Sequence, residues 1–288
     1  MCIAFVTSAT IRDFTADDRL AATALSSRGV EVRPIVWSDG GIDWMGFDAI
    51  IVRSTWDYHT RSAEFREWID RLDAMGAPLW NPASVLRWNM EKSYLRALAD
   101  AGVAVVPTEW LPRHASIELR PLLDERGWTD VVIKPTISAT AFRTWRVSAA
   151  DASSAHDHLA ELLAAGDAMV QPFIKEIQTN GEWSLVYLGG SFSHGVRKRP
   201  RGKDFRVQSE YGGTATGDLP GDSLLRAARR VLDAAPHPWL YARVDGVETA
   251  EGFVLLELEM LEPSLFLSTS EGAPARFADA VIRVSLKD

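Results

Sequence analysis

One cysteine, Cys2, in 288 residues leaves no partner for an intrachain disulfide and no Cys-based zinc cluster. That usage fits a reducing cytoplasm. Basic residues are the minority charge: 31 Lys and Arg against 39 Asp and Glu give a net charge of −8. A net-acidic chain repels nucleic acid and anionic membrane at long range, so anion binding needs a local basic patch. Long apolar runs are missing, and none approaches the roughly 20 residues that span a bilayer. The opening Met1-Cys2-Ile3-Ala4-Phe5-Val6 lacks the basic flank and extended apolar core of a signal peptide. Neither G-x-G-x-x-G nor G-x-x-x-x-G-K-[ST] occurs, which removes the fingerprints of Rossmann dinucleotide and Walker-type sites. The expectation is a cytoplasmic protein with no membrane or nucleic-acid partner.

What remains is an ordinary globular composition, 47% apolar and 24% charged, long enough for two or three domains. Cys2 to Val6, Val30 to Val36 and Ala49 to Val52 read as buried strands. Leu20, Ala21, Ala24 and Leu25 recur at helical spacing, as do Phe65, Trp68, Ile69 and Leu72, with Gly29 and Gly76 as stops. Strands alternating with helices argue a parallel sheet covered on both faces. A helix is expected from Met90 to Ala101, with Gly102 at its stop. Beyond it the texture becomes α+β: strands at 131–133, 169–170, 185–188 and 253–256, and helices near 151–165, 222–235 and 273–284. Pro200 to Gly202 and Gly212 to Gly217 read as one long loop. The divisions expected are 1–86, 87–172 and 173–288.

In Phe253-Val254-Leu255-Leu256-Glu257-Leu258-Glu259-Met260 two acids interrupt an apolar strand. Period two places Glu257 and Glu259 on one face and Leu256, Leu258 and Met260 on the other. Asp245 ends a second apolar strand, Tyr241 to Val244, twelve residues before Glu257. A hairpin centred near Glu251 sets Asp245 across from Glu257, so that three carboxylates converge. Hard oxygen donors suit Mg²⁺, and a solvated edge strand is the alternative; the apolar flanks favour the metal. The run Arg197-Lys198-Arg199-Pro200-Arg201-Gly202-Lys203-Asp204-Phe205-Arg206 holds six cations in ten residues. It suits a triphosphate-like small anion at least as well as nucleic acid, with a solvated loop as the plain reading. Lys134 ends a strand before Pro135, and Lys92 stands one turn into the expected helix. His156 and His158, two apart on a helix, face different directions and make a poor metal pair. Arg53-Ser54-Thr55-Trp56-Asp57-Tyr58 follows a parallel strand at its carboxyl end, where open α/β sheets place ligands.

Taken in order from Asn81 to Pro263, these pieces resemble the ATP-grasp superfamily. The similarity is to its glutathione synthetase-like branch, which includes ribosomal-protein glutamate ligases and cycloserine-forming cyclo-ligases. The resemblance implies an N-terminal parallel-sheet α/β domain followed by a two-lobed α+β ATP-grasp fold, with ATP held between the lobes. It implies that Lys92 and Lys134 bind nucleotide phosphates and that Gln171-Pro172-Phe173-Ile174, within the hinge from Met169, meets adenine. It sets Glu182 near the ribose, Asp245, Glu257 and Glu259 on Mg²⁺, and Arg206 at the reacting acyl phosphate. The phosphate loop is expected at Ile137 to Phe142, glycine-free and stiff, with Ser138 and Thr140 supplying hydroxyl donors.

The implied activity is ATP-dependent carboxylate–amine ligation through an acyl phosphate, releasing ADP and phosphate. Ring closure within one molecule is the variant reading, and a non-catalytic nucleotide-binding module is a third. No Ser or Cys triad is present, and this chemistry needs none. The acid and amine are expected to be small molecules, lying between Trp56-Asp57-Tyr58 and the loop carrying Arg197 and Lys198, with Ser264 as a further contact. A homo-oligomer stays open.

Overall fold

The structure, a computed structural model, describes residues 1–202, 206–207 and 211–286. The chain opens with a four-stranded parallel sheet ordered β2-β1-β3-β4, from β1 (Cys2–Thr7), β2 (Glu31–Val36), β3 (Ala49–Ser54) and β4 (Leu79–Trp80). Alternation decides its two faces. Ile3, Phe5 and Ile51 pack with α1 (Ala16–Ser26), whereas Ala4, Val6, Ile50 and Val52 meet Phe65, Trp68, Ile69 and Leu72 of α2 (Ser62–Ala74). Thr15 caps α1, its hydroxyl accepting the Asp18 N–H at 3.1 Å.

The helix expected over 90–101 is shorter, α4 (Tyr94–Asp100), and a separate α3 (Ala83–Asn89) precedes it, with Lys92 in the break between them. Tertiary bonds override the helical pattern. The Asn89 amide donates to Leu258 O at 2.7 Å and accepts from Met260 N–H at 2.6 Å. The Lys92 N–H is drawn to Thr136 O at 2.9 Å.

A second sheet, antiparallel and ordered β5-β8-β6-β7, comprises β5 (Glu109–Leu111), β6 (Asp130–Pro135), β7 (Trp145–Ser148) and β8 (Ala168–Pro172). Helices α5 (Leu119–Arg126) and α6 (His156–Ala165) cover it, burying Leu123, Leu159 and Leu163 against Val131 and Ile133. Past the short α7 (Glu176–Thr179) comes a five-stranded antiparallel sheet ordered β11-β10-β9-β12-β13. Its strands are β9 (Glu182–Leu188), β10 (Ser191–Arg199), β11 (Thr214–Asp218), β12 (Tyr241–Thr249) and β13 (Gly252–Glu259). The long loop read over 200–217 is therefore shorter: Thr214 to Asp218 pairs with β10 as an exposed edge strand.

Helix α8 (Asp222–Asp233) packs Leu224, Val231 and Leu232 under β12 and β13. Helix α9 (Ala273–Ser285) returns to α1, so Phe277 and Val281 share a core with Ile3 and Phe5 of the first sheet and with Val186 and Tyr241 of the third. Asn81 links the same parts, donating to Tyr241 O at 2.9 Å and Met260 O at 2.7 Å. The Tyr241 hydroxyl lies 2.5 Å from Val52 O and 2.9 Å from Leu261 O, its one proton shared between the two carbonyls. No helix among the described residues is long and apolar enough to cross a membrane.

Candidate active site

Antiparallel β12 and β13 place Asp245 opposite Glu257, the juxtaposition predicted from their spacing, and the turn closes at Thr249 and Gly252. A bulge follows at once: Asp245 pairs Glu257, yet Gly246 pairs Leu255, which leaves Leu256 extra on β13. Leu256 therefore does not share a face with Leu258 and Met260. It joins Phe173 and Val247 beside the cavity, while Leu255 drops into the core. Gly246 permits this packing, because a Cβ there would lie 2.2 Å from the Phe253 ring.

Asp245, Glu257 and Glu259 all line one cavity of about 340 Å³. Their carboxylates do not converge on one point: among the described residues no three acids, histidines or cysteines are grouped closely enough to hold an ion. Each is instead drawn to a cation. Lys92 Nζ reaches Glu257 at 3.1 Å and donates to Ser138 O and Oγ at 2.8 and 3.1 Å. Lys198 spans Glu182 at 2.6 Å and Asp245 at 3.1 Å. Arg243 bonds Asp245 at 2.8 Å and also Glu259, and its Nη1 donates to Ser264 O at 2.9 Å. Sequence reasoning missed Arg243. Its signal was the period-two pair Arg243-x-Asp245, the basic counterpart of Glu257-x-Glu259 on the neighbouring strand.

This arrangement spreads the acidities. Burial works to raise Asp245, but Arg243 and Lys198 overcome it and hold its carboxyl at about 2. Burial likewise opposes ionisation of Glu257, and Lys92 with Lys134 brings it below its ordinary value. For Glu259 burial wins against Arg243, and the carboxyl is pushed up to about 7. Burial, with Glu259 and Glu257 adding repulsion, takes Glu262 to about 8. Glu262 is a second lining residue that sequence reasoning missed, since it follows the strand and fits no alternation. Burial lowers Lys134, with Lys92 pushing the same way and Glu257 opposing.

The other walls come from the second sheet and its loops. Gln171, Pro172, Phe173 and Ile174 line one end together with Val106, Val132, Ile177 and Leu256, forming an apolar slot with a polar edge. The Gln171 amide donates to Thr108 Oγ1 at 2.9 Å, and Arg146 lies over the Phe173 ring at 3.7 Å. Lys134, Ser138, Thr140 and Glu182 line the same cavity. The glycine-free loop bends without glycine, for Thr140, Ala141 and Arg143 take φ of 51°, 56° and 48°. Left-handed non-glycine residues cost about 1–3 kcal/mol each and cluster where ligands are clamped.

Trp56, Tyr58, Arg206 and Ser264 line the cavity as well. Two expected substrate residues are elsewhere. Asp57 is not among the lining residues: it accepts the Trp37 indole N–H at 2.8 Å and the Ala9 N–H at 3.4 Å. Arg197 is in strand β10, not a loop, so the alternation that sends Lys198 into the cavity sends Arg197 to the other face. There it stacks 3.6 Å from the Trp183 ring and pairs with Asp218 at 3.2 Å. Arg206 lies over the Tyr211 ring at 3.6 Å, and Lys203, Asp204 and Phe205 of the basic run fall outside the described residues.

Comparison with known proteins gives this geometry a family. Residues 3–81 match the family of the N-terminal domain of D-cycloserine synthetase DcsG. The cycloserine biosynthesis protein DcsG of Streptomyces lavendulae is 31% identical over 299 residues, covering 97% of each chain. A crystal structure of D-cycloserine synthetase DcsG superposes with a TM-score of 0.88 at 29% identity, covering 99% of this chain and all of that one. A RimK domain ATP-grasp protein of Sphaerobacter thermophilus has the same fold, with a TM-score of 0.72 at 20% identity over 98% of this chain and all of its own. So does a D-alanine–D-alanine ligase of Bacillus anthracis, with a TM-score of 0.69 at 15% identity over 99% of this chain and 97% of its own. The chain belongs to the DcsG family of ATP-grasp ligases, and it is an ATP-dependent carboxylate–amine ligase.

Proposed function

We propose that this ligase closes a small ring within one substrate molecule, D-cycloserine or a close relative being the product. The observation that carries the reading is the likeness to DcsG, which runs through 97% of both chains. In such a reaction ATP phosphorylates the substrate carboxylate, and a nitrogen of the same molecule displaces phosphate to form the amide. Lys92 and Lys134 are suited to the phosphates, and Gln171 to Ile174 with Leu256 to the base. Ser138 and Thr140 lie on the bent loop between those ends, and Glu182 offers an acceptor for ribose hydroxyls.

The donor set suits Mg²⁺: three hard-oxygen carboxylates from two paired strands, one of them ionised at any pH above about 2. Asp245, Glu257 and Glu259, drawn off their separate cations, would hold the ion, whose charge would neutralise that of the transferring phosphoryl group. Arg206, which also lines the cavity, would steady the oxyanion as nitrogen adds to the carbonyl.

The test offers ATP, Mg²⁺ and short acids that each carry a nucleophilic nitrogen. One of them is β-aminooxy-D-alanine, the acid left when the ring amide of D-cycloserine is opened. Phosphate release with a product lighter by one water, and no second amine added, supports ring closure. Turnover only when a separate amine is supplied would make this chain an intermolecular ligase.

A further inference from the structure

We infer that Glu262 is a specificity-determining residue: its carboxylate pairs with an ammonium group on the carbon beside the carboxylate that is activated. The inference rests on the ring-closing reading above and names the cationic character of its substrate. Five acids line the cavity, and four are held by lining cations: Glu182 and Asp245 by Lys198, Asp245 and Glu259 by Arg243, and Glu257 by Lys92. Glu262 has no ion pair among the described residues. A half-buried carboxylate without a counter-charge is destabilising unless a ligand supplies one.

Its position is nonetheless defined. The Trp56 indole N–H donates to Glu262 O at 3.0 Å, Tyr241 holds Leu261 O at 2.9 Å on one side, and Arg243 holds Ser264 O at 2.9 Å on the other. Trp56 and Tyr58 bring aromatic rings to the same cavity, a lining that also favours a cation. The nucleotide cannot supply the counter-charge, because its phosphates are anionic. The three acids suited to Mg²⁺ lie on β12 and β13, before Glu262 in the chain. An organic cation on the acid to be activated fits what is left.

The experiment measures phosphate release with β-aminooxy-D-alanine and with 3-aminooxypropionic acid, which lacks only the ammonium group, in the wild type, Glu262→Gln and Glu262→Asp. The wild type is expected to prefer the ammonium-bearing acid by about 10–100-fold in kcat/KM, the scale of one charge-assisted hydrogen bond. The Gln variant should lose that preference through KM for the acid, with KM for ATP and the Mg²⁺ dependence unchanged, and the Asp variant should regain part of it. Equal use of the two acids by the wild type, or a preference that survives in the Gln variant, overturns the inference while leaving the ring-closing reading intact. A shifted Mg²⁺ dependence in the Gln variant would make Glu262 a metal ligand and also overturn it. Phosphate release by no acid at all refutes the ring-closing reading, and the inference falls with it.

Discussion

Changing Asp245 to Asn probes the ion-pair cage beneath the cavity. Asp245 is 2% exposed and accepts from Ser184 Oγ at 2.6 Å, Lys198 Nζ at 3.1 Å and Arg243 Nη2 at 2.8 Å. Together these hold its carboxyl at about 2 against an ordinary 3.8. At about 1.4 kcal/mol per pH unit, that difference corresponds to about 2.5 kcal/mol of native-state stability. Removing one member of a buried ion pair generally costs about 3–5 kcal/mol. The lower figure applies here, because Lys198 keeps Glu182 and Arg243 keeps Glu259. The Asn variant should therefore lose about 2–3 kcal/mol in urea unfolding near neutral pH. The sign follows from a lowered pKa: the contribution is complete above 3.8 and fades as the pH falls through about 2, so variant and wild type should converge in acid. Equal midpoints at neutral pH, or a gap of the same size at low pH, would refute the reasoning.

Lys134→Ala should weaken ATP binding by about 1–3 kcal/mol, the loss of one charged hydrogen bond, and calorimetry showing unaltered affinity would remove Lys134 from the phosphate site. Arg206→Ala should lower kcat by about 10²–10³ if the guanidinium steadies the oxyanion, with heavy oxygen from the substrate carboxylate still appearing in the released phosphate. Glu262→Gln should make the ligand-free protein more stable than wild type at pH 8, with the difference vanishing below 4.5. The carboxyl titrates at about 8 in the fold against 4.5 ordinarily, so the native state binds the extra proton and the wild type loses stability as pH rises between those values. Thermal melts at the two pH values that move in parallel would contradict this.

Much of the scaffold was legible because burial imposes a period. The parallel sheet and α2 followed from apolar residues spaced at two and at 3.6, and the Asp245–Glu257 pairing from twelve residues of hairpin. What escaped depends on partners distant in sequence. The break at Met90 comes from Asn89 reaching the backbone of β13 at Leu258 and Met260, which no window around residue 90 contains. Strand β11 was invisible because Thr-Ala-Thr-Gly-Asp is exposed on both faces and carries no alternation. Arg197 and Lys198 looked equivalent in a basic run, and only β10 pairing sends one to Trp183 and the other to Asp245. Glu257 and Glu259 were read rightly as neighbours on one face. Their turning to separate cations was not legible, because those cations come from the break before α4 and from β12.

That division bears on how the site receives its ligands. Lys92, Lys198 and Arg243 already pair with Glu182, Asp245, Glu257 and Glu259. Phosphates that claim Lys92 leave Glu257 uncompensated in a poorly solvated place, and a divalent ion that claims Glu257 and Asp245 leaves Lys92 and Lys198 uncompensated in turn. Each ligand alone breaks buried pairs and strands one partner, whereas the two together exchange those pairs for new ones of the same sign. If these residues hold ATP and Mg²⁺ as proposed, the cage would favour nucleotide and metal as a unit over either by itself, an outcome four separate exposed acids would not produce. Glu262 makes none of these ion pairs among the described residues. Its compensation has to arrive with the acid that the nucleotide activates, which couples recognition of that substrate to a cavity whose other charges are already satisfied.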